Sequence, residues 1–333
     1  MKTIAFDGIC LADGPITGVG RSFLNALSAY ADRKDATCVL LLPKGVSIAP
    51  LDGVLFAESP RGPLRRQRQL PALLRSLNAS VLHSSVASIP LGATCPTIAT
   101  AHDLPWLHAE LNEHSSVWRR FATLRALRGA TRILVPSSMT QHDVLRLLGK
   151  KRPPIELVMH GALLGEAPTE QGTGLRSGPM LVLGDDRRRK NRTRLQAAHH
   201  IALERNPNLP QLKFVGPPNG YINESEKNSL LQSCRAVVHV SLFEGFGMPI
   251  LEALAHGAPI VCSDLPPHRE IANGDALYVD PRSTESIAKG LARIHEDSAL
   301  RWQQAKGGHV RAHQLQPSHT AAHWARIHQE VLA

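Results

Sequence analysis

Two carboxylates and two glycines fall close together in Ser241-Leu-Phe-Glu-Gly-Phe-Gly-Met-Pro-Ile-Leu-Glu-Ala-Leu-Ala-His-Gly257, a stretch that reads as a loop feeding a short helix. Pro249 suits the first helical turn, where no backbone donor is needed, and Gly257 suits the stop after the last turn. Gly245 and Gly247 let the backbone approach a ligand with no side chain between. A helix N-terminus reached through such a loop carries partial positive charge and is a natural seat for a diphosphate. Glu244 lies in the loop and Glu252 in the helix, with seven residues between them. At about 100° per residue, Ile250, Leu251 and Leu254 share one side of the helix and Glu252 lies roughly opposite, away from the core. Taken alone, Glu252 is an exposed acid on an amphipathic helix. Paired with Glu244 across an anion-binding turn, it could accept hydrogen bonds from several hydroxyls of one sugar nucleotide.

This segment resembles the E-x7-E signature of the retaining glycosyltransferases of GT-B fold in family 4, the glycosyl transferases group 1. Ala258-Pro-Ile-Val-Cys-Ser-Asp264 and Arg269-Glu-Ile-Ala-Asn-Gly-Asp-Ala-Leu-Tyr-Val-Asp-Pro281 continue the pattern, so the likeness runs over roughly forty residues. The resemblance implies an α/β, GT-B architecture of two Rossmann-like domains facing each other across a cleft. It also implies a donor site in which Glu244 and the backbone of Gly245, Phe246, Gly247 and Met248 hold the sugar, while Glu252 takes the ribose hydroxyls.

The elements that would position these residues follow from the rest of the chain. Its 333 residues suffice for two domains. Short apolar runs at Lys2 to Asp7, Cys38 to Leu42, Val54 to Ala57, Val81 to Ser84 and Thr97 to Ala101 alternate with helical stretches, which predicts a mostly parallel sheet. After the first run, Gly14-Pro-Ile-Thr-Gly-Val-Gly20-Arg21 turns into a helix expected to begin near Ser22. It lacks the third spaced glycine of a dinucleotide fingerprint. Gly18 and Gly20 resemble the family's G-x-G-R loop, which lies over the donor diphosphate; without that likeness they read as a tight turn.

His102 follows the run Thr97 to Ala101, at the strand end where ligands collect in such sheets. Its His-Asp-Leu segment resembles the family's own, which implies contact with the transferred sugar beside the anomeric carbon. Thr131 to Ser137 and Ile155 to Gly161 read as the last strands of a first domain, residues 1–163. Residues 164–179, rich in Gly, Pro, Ser and Thr, read as a linker.

The second domain, 179–316, opens on Met180-Leu-Val-Leu-Gly184, then Asp185-Asp-Arg-Arg-Arg-Lys-Asn191. Arg and Lys at a strand-to-helix corner can neutralise a diphosphate. Arg189 and Lys190 resemble the family's R-K-N element, which implies phosphate ligands. Arg187, Arg188, Arg192 and Arg194 read as surface charge. Family members normally carry a further strand-helix step before the Glu244 loop, and near 206–223 this chain is short of one. Pro317 to Leu332 reads as a closing helix, which the fold sends back onto the first domain.

The formal charge of +10, from 38 Lys and Arg against 28 Asp and Glu, calls for an anionic partner. Arg61, Arg65, Arg66 and Arg68 lie beside leucines in a helical stretch that Pro71 is expected to break, and such a basic face can rest on an anionic membrane. A solvated charged face is the equal alternative. Five scattered cysteines without paired spacing favour reduced thiols and a cytoplasmic setting, peripheral at the inner membrane if the basic face is used. The chain opens on a strand pattern with no secretory signal, and no apolar run reaches the roughly 20 residues that span a bilayer.

The expected activity is a metal-independent, retaining transfer of a hexose, mannose or glucose type, from a GDP- or UDP-linked donor to a hydroxyl of a glycan or lipid-linked acceptor. It needs no cofactor, and no D-x-D triplet occurs in the chain. The acceptor site carries no sequence signal. Rival readings are a GT-B phosphorylase or sugar-nucleotide epimerase, and a non-catalytic basic protein that binds nucleic acid. The last lacks the stacking aromatics such binding uses, with only 4% Phe, Trp and Tyr.

Overall fold

The computed structural model describes residues 1–12, 14–113 and 115–333. Two compact units divide it: residues 1–104, 114–161 and 317–333 form the first, and 105–113 with 162–316 the second. The first holds β1 (Thr3–Asp7), α1 (Gly18–Ala31), β2 (Thr37–Pro43), β3 (Val54–Ser59), α2 (Pro63–Ser76), β4 (Val81–Ser84), β5 (Thr97–Thr100), α3 (Val117–Gly129), β6 (Arg132–Val135), α4 (Ser138–Leu148) and β7 (Ile155–Leu157). Its strands pair in the order β3-β2-β1-β4-β5-β6-β7, every pair parallel.

The second unit begins with α5 (Glu170–Gly174) and runs through β8 (Met180–Leu183), α6 (Arg192–Arg205), β9 (Leu212–Val215), α7 (Glu224–Ser233), β10 (Ala236–His239), α8 (Met248–Ala255), β11 (Ile260–Ser263), α9 (Pro266–Ala272), β12 (Leu277–Val279), α10 (Thr284–Glu296) and α11 (Ser298–His313). Its parallel sheet is ordered β12-β11-β10-β8-β9. Within each parallel sheet, taken by itself, the strands' carboxyl ends share one edge, and His102 follows one such end in the first unit as Gly184 does in the second. Residues 216–223 connect β9 directly to α7, in the region where the sequence is short of a strand-helix step.

The closing helix, α12 (Pro317–Leu332), has the bounds expected of it and packs in the first unit's core, where Trp324, Ala325 and Ile327 meet Phe6, Phe23 and Leu27. A polar thread runs through that core. His83 Nδ1 and His328 Nε2 lie 3.0 Å apart, and His328 Nδ1 lies 2.9 Å from the Tyr30 hydroxyl. The ring of Phe6 meets His83, Tyr30, Trp324 and His328 together. Burial lowers both histidines, His328 to about 3, so the imidazoles are neutral and can alternate as donor and acceptor.

Four expectations are corrected. Helix α1 starts at Gly18, not near Ser22, because the Thr17 side chain caps it by accepting from the Gly20 N–H. Pro71 does not break α2, which continues through it to Ser76. Leu70 and Leu74 on either side of Pro71 are fully buried against β1, β2 and β4, and this burial outweighs the lost backbone bond. Arg66 is not part of the exposed basic face, since it is only 5% exposed and its guanidinium bonds the buried carboxylate of Asp7. The stretch read as a linker contains α5, and Arg176 is buried there, donating to the carbonyls of Leu231 and His256.

The histidine thread sets an acid limit on stability. A histidine whose folded pKa lies below its ordinary 6.5 binds its proton more readily unfolded, so its stabilisation is complete above that value and declines as pH falls toward the folded pKa. The thermal midpoint should drop from pH 7 to pH 5, with a slope of up to roughly 1.4 kcal/mol per pH unit for each proton taken up. His328→Phe should unfold more easily at pH 8 but with a shallower acid slope. Equal slopes in the two proteins would show that His328 does not carry the effect.

Candidate active site

The site in the second unit is built at the carboxyl ends of β8 and β10. After β10, the loop from Val240 turns at Gly247, whose φ of +129° is open to glycine and strained for any other residue. An added Cβ there would also lie 3.3 Å from the His268 ring. Helix α8 starts at Met248 with Pro249 in its first turn, and Gly257, at φ +56°, follows its end. Gly245 is not among the positive-φ residues, so its value lies elsewhere than in backbone handedness.

Glu244 is 7% exposed and lies at the centre of a charged cluster. Lys190 Nζ donates to its Oε1 at 2.6 Å, Arg189 Nη1 reaches its Oε2 at 3.5 Å, and His239 Nε2 stands 3.1 Å from Oε1. Burial pushes this carboxyl up, but the ammonium of Lys190, with His239 and Arg189 after it, outweighs burial and holds it well below the ordinary carboxylate range. Arg189 also bonds the Phe243 carbonyl at 3.3 Å and pairs through Nε with Glu113 at 3.2 Å. Asn191 pins the corner: it adopts the left-handed conformation at φ 60° and donates to the carbonyls of Val240 and Pro281 at 3.0 and 2.7 Å.

Arg189 and Lys190, to which the family resemblance gives phosphate contacts, are both engaged with carboxylates in this structure. Lys190 carries three N–H donors, and Glu244 takes one of them. The neighbouring arginines serve local structure: Arg187 pairs with Asp185, and Arg192 bonds the Gly184 carbonyl and lies over the Phe214 ring. Glu252 is not the exposed acid that the helical wheel suggests: its side chain is only 13% exposed, and its partner is Lys227 of α7, at 2.6 Å. The structure therefore gathers Glu244, Arg189 and Lys190 into one cluster and gives Glu252 a separate contact.

In the first unit, His102 follows β5 with Nε2 2.7 Å from the Ser85 carbonyl and a sequestered Nδ1 that has no hydrogen-bond partner. Its ring stacks on His160 at 5.3 Å, and His160 Nδ1 lies 3.3 Å from Ser22 Oγ in α1. Gly18 and Gly20 form the first turn of that helix, where a Cβ on Gly20 would press on Leu11 at 3.0 Å. Burial lowers both histidines, His160 to about 3 with His102 adding to the effect, so His102 is available as a neutral ring.

Four polar residues here escape sequence reasoning. Glu113 lies far along the chain from Arg189, and His160 is one of seventeen histidines. His239 lies on β10, next to the signature. His268, wholly buried, bonds the Ser263 carbonyl through Nδ1 at 2.9 Å and lies 5.2 Å from His239 between ring centres. The one usable signal was a His at the carboxyl end of a predicted strand, which His160 and His239 share with His102. Among the described residues, no group of three or more His, Cys, Asp or Glu is gathered so as to hold a metal ion.

Residues 182–310 match the family model described as Glycosyl transferases group 1, and residues 16–162 match Glycosyltransferase Family 4. The chain belongs to this family of glycosyltransferases. It is 33% identical over 82 residues to O-antigen chain mannosyltransferase B of Escherichia coli, a match covering 25% of this chain and 22% of that protein. The match thus spans about a fifth of the relative's length. Among solved structures it is similar to sucrose-phosphate synthase from Thermosynechococcus elongatus, with a TM-score of 0.76, 16% identity and 99% of each chain covered. It is also similar to the Anabaena protein HepE in complex with UDP-glucose, with a TM-score of 0.71, 15% identity, and 99% and 100% covered. These likenesses give the glycosyltransferase the GT-B fold.

The Lys190–Glu244 contact can be weighed in isolation. Lys190→Met should lower the urea-unfolding stability of the glycosyltransferase by about 2 kcal/mol at neutral pH, because Glu244 then stays buried with a weakened set of partners. Adding Glu244→Gln should recover much of that loss, giving a coupling well outside additivity. Strictly additive losses would show that the two side chains do not depend on each other.

Proposed function

We propose that this glycosyltransferase moves a hexose, of mannose or glucose type, from a GDP- or UDP-linked donor to a hydroxyl of a glycan or lipid-linked acceptor, with retention of anomeric configuration and without a metal ion. The observation that carries the reading is the Arg189, Lys190 and Glu244 cluster beside the Gly247 turn and the α8 N-terminus. It sets cationic side chains and helix-end N–H groups together, which suits a diphosphate leaving group. Its setting is cell-surface polysaccharide or glycoconjugate synthesis, in keeping with the O-antigen relative. The enzyme works in the cytoplasm, peripheral at the inner face of the membrane.

In the proposed reaction the bond from the anomeric carbon to the β-phosphate oxygen breaks first, giving an oxocarbenium-like sugar. The acceptor hydroxyl attacks from the face the leaving group departs, and its proton passes to a phosphate oxygen. The products are the glycoside and the nucleoside diphosphate. Lys190, Arg189 and the backbone donors of the α8 turn stabilise the charge growing on the diphosphate. Glu244, with the backbone of Gly245 to Met248, holds the sugar hydroxyls, and Glu252, steadied by Lys227, takes the ribose. For the first unit taken by itself, the family resemblance supports a part in donor binding for Gly18, Gly20 and the neutral ring of His102.

Thermal shift against a panel of nucleoside diphosphate sugars tests the reading. A true donor at about a hundred times its dissociation constant adds roughly 2.7 kcal/mol of stability, and Glu252→Ala should remove most of the shift. NMR of the product should show the donor's anomeric configuration kept, and a chelator should leave turnover unchanged. No shift with any donor, or an inverted product, would sink the proposal.

A further inference from the structure

Lys44, Glu58, Ser59, Arg61, Arg65 and Gln69 of the first unit line a cavity of about 630 Å³, a size that small-molecule sites have. Local structure sets it at strand ends. Lys44 follows β2 and Ser59 ends β3, and the Lys44 N–H donates to the Ser59 carbonyl at 2.9 Å. Arg65 and Gln69 stand four residues apart on α2, so both turn to the same side. The helix is held against the sheet there, because Arg66 bonds the buried Asp7 carboxylate at the end of β1 and Leu70 is fully buried in the core.

Two independent features suit the cavity to an anion. Ser59 is only 1% exposed, yet its hydroxyl has no hydrogen-bond partner among the described residues. A buried hydroxyl is seldom left so, and this one lines the cavity as a donor without an acceptor. The second feature is the start of α2, where Gly62 supplies no side-chain cap and the first turn keeps its partial positive charge. Around them Lys44, Arg61 and Arg65 outnumber the one lining carboxylate, Glu58. Lys44 and Arg65 make no ion pair among the described residues, and the Arg61 guanidinium donates to the Ala12 carbonyl. Ammonium, guanidinium and hydroxyl are all donors, which is what the oxygens of a phosphoryl group require. Glu58 and Gln69 have no place beside a bare anion. They can take hydroxyls of a sugar that carries it.

We propose that this cavity seats the phosphoryl group of a phosphorylated glycan, with Lys44, Arg65 and Ser59 on the phosphate oxygens and Glu58 and Gln69 on the adjoining sugar. The inference rests on the transferase reading above and names its acceptor class, a glycan that bears phosphate. The strand order β3-β2-β1-β4-β5 puts the cavity on the same carboxyl edge as His102, three to four strands away. At about 4.8 Å between neighbouring strands the separation is roughly 14 to 19 Å. The phosphate and the reacting hydroxyl therefore belong to different sugars of the acceptor, and the cavity fills independently of the donor.

The test is calorimetric titration of the full chain with glucose 6-phosphate and with glucose, alone and with saturating UDP or GDP. Glucose 6-phosphate should bind about tenfold or more tighter than glucose, and equally well with the nucleotides present. Lys44→Gln with Arg65→Gln should weaken it about tenfold and Ser59→Ala severalfold. Lys44 and Arg65 are exposed, and an unchanged melting temperature shows that the double variant is folded, so it decides the matter even where Ser59→Ala does not fold. Equal affinity for glucose, or affinity indifferent to the double substitution, overturns the proposal. Displacement by UDP or GDP does so too, because the sugar phosphate then occupied the donor's diphosphate seat. So do vesicles of phosphatidylglycerol that bind through Lys44 and Arg65 when glucose 6-phosphate does not, which makes the site one for a lipid headgroup. The donor thermal shift on the same proteins separates the two readings: a donor shift without sugar-phosphate binding sinks only the cavity's role, and sugar-phosphate binding without any donor shift sinks the transferase mechanism alone.

Discussion

An ionised carboxylate in the near absence of water is the constraint around which the second unit is arranged. Glu244 can hold its charge there only if the cost of leaving water is returned at close range, by Lys190 at 2.6 Å first and by His239 and Arg189 after it. Lys190 and Arg189 can in turn be delivered only from the corner after β8, which Asn191 fixes by bonding the chain beyond β10 and beyond β12. Arg189 brings its own requirement, met by Glu113. The cluster therefore joins β8, β10, the turn before α8 and the 105–113 segment in one charge balance. Two cations face two carboxylates, so an arriving diphosphate would have to compete with those contacts or draw on the α8 backbone. This makes the glycine turn as necessary to the site as the cations.

What the sequence makes legible is whatever local chemistry decides. Parallel strands are buried on both faces, so they read as continuous apolar runs, and Val81 to Ser84 or Met180 to Leu183 could be bounded by eye. Pro249 and Gly257 mark the ends of α8 because each answers a backbone demand that few other residues meet. Arg65 and Arg66, by contrast, are adjacent identical letters with opposite fates. Arg66 turns inward only because Asp7 ends β1 beneath it, a pairing that residues 59 positions apart in the chain do not announce. The same holds for Glu113 and Arg189, which meet through tertiary structure alone.

Composition misled where it was read as freedom. Residues 164–179 carry the Gly, Pro, Ser and Thr of a flexible connector, yet they are packed on the second unit. A Cβ on Gly178 would strike the Ser233 carbonyl at 2.5 Å, and one on Gly165 would strike the His256 ring at 2.6 Å. Small residues stand there because the backbone passes close to its neighbours. Arg176 confirms the packing, since its buried guanidinium spends its donors on two main-chain carbonyls. Glycine enrichment by itself does not separate mobility from tight approach, and the neighbouring burial of a long polar side chain is what does.

The buried histidines complete the electrostatic logic. The chain carries a surplus of ten positive charges, and a diphosphate site benefits from that field only if the cations near it are few and directed. Filling strand ends with further Lys or Arg would require further buried carboxylates. Neutral imidazole offers a donor and an acceptor at no cost in net charge. His268 and His160 are driven to about 3 by burial, and His83, His102 and His239 are lowered for the same leading reason. They bridge carbonyls, hydroxyls and one another in both units, and the buried formal charges stand apart from them, in the cluster of Arg189, Lys190 and their carboxylates, the Arg66–Asp7 pair and Arg176. Neutral imidazoles thus supply much of the buried polar bonding of this basic chain without adding to the charge inside.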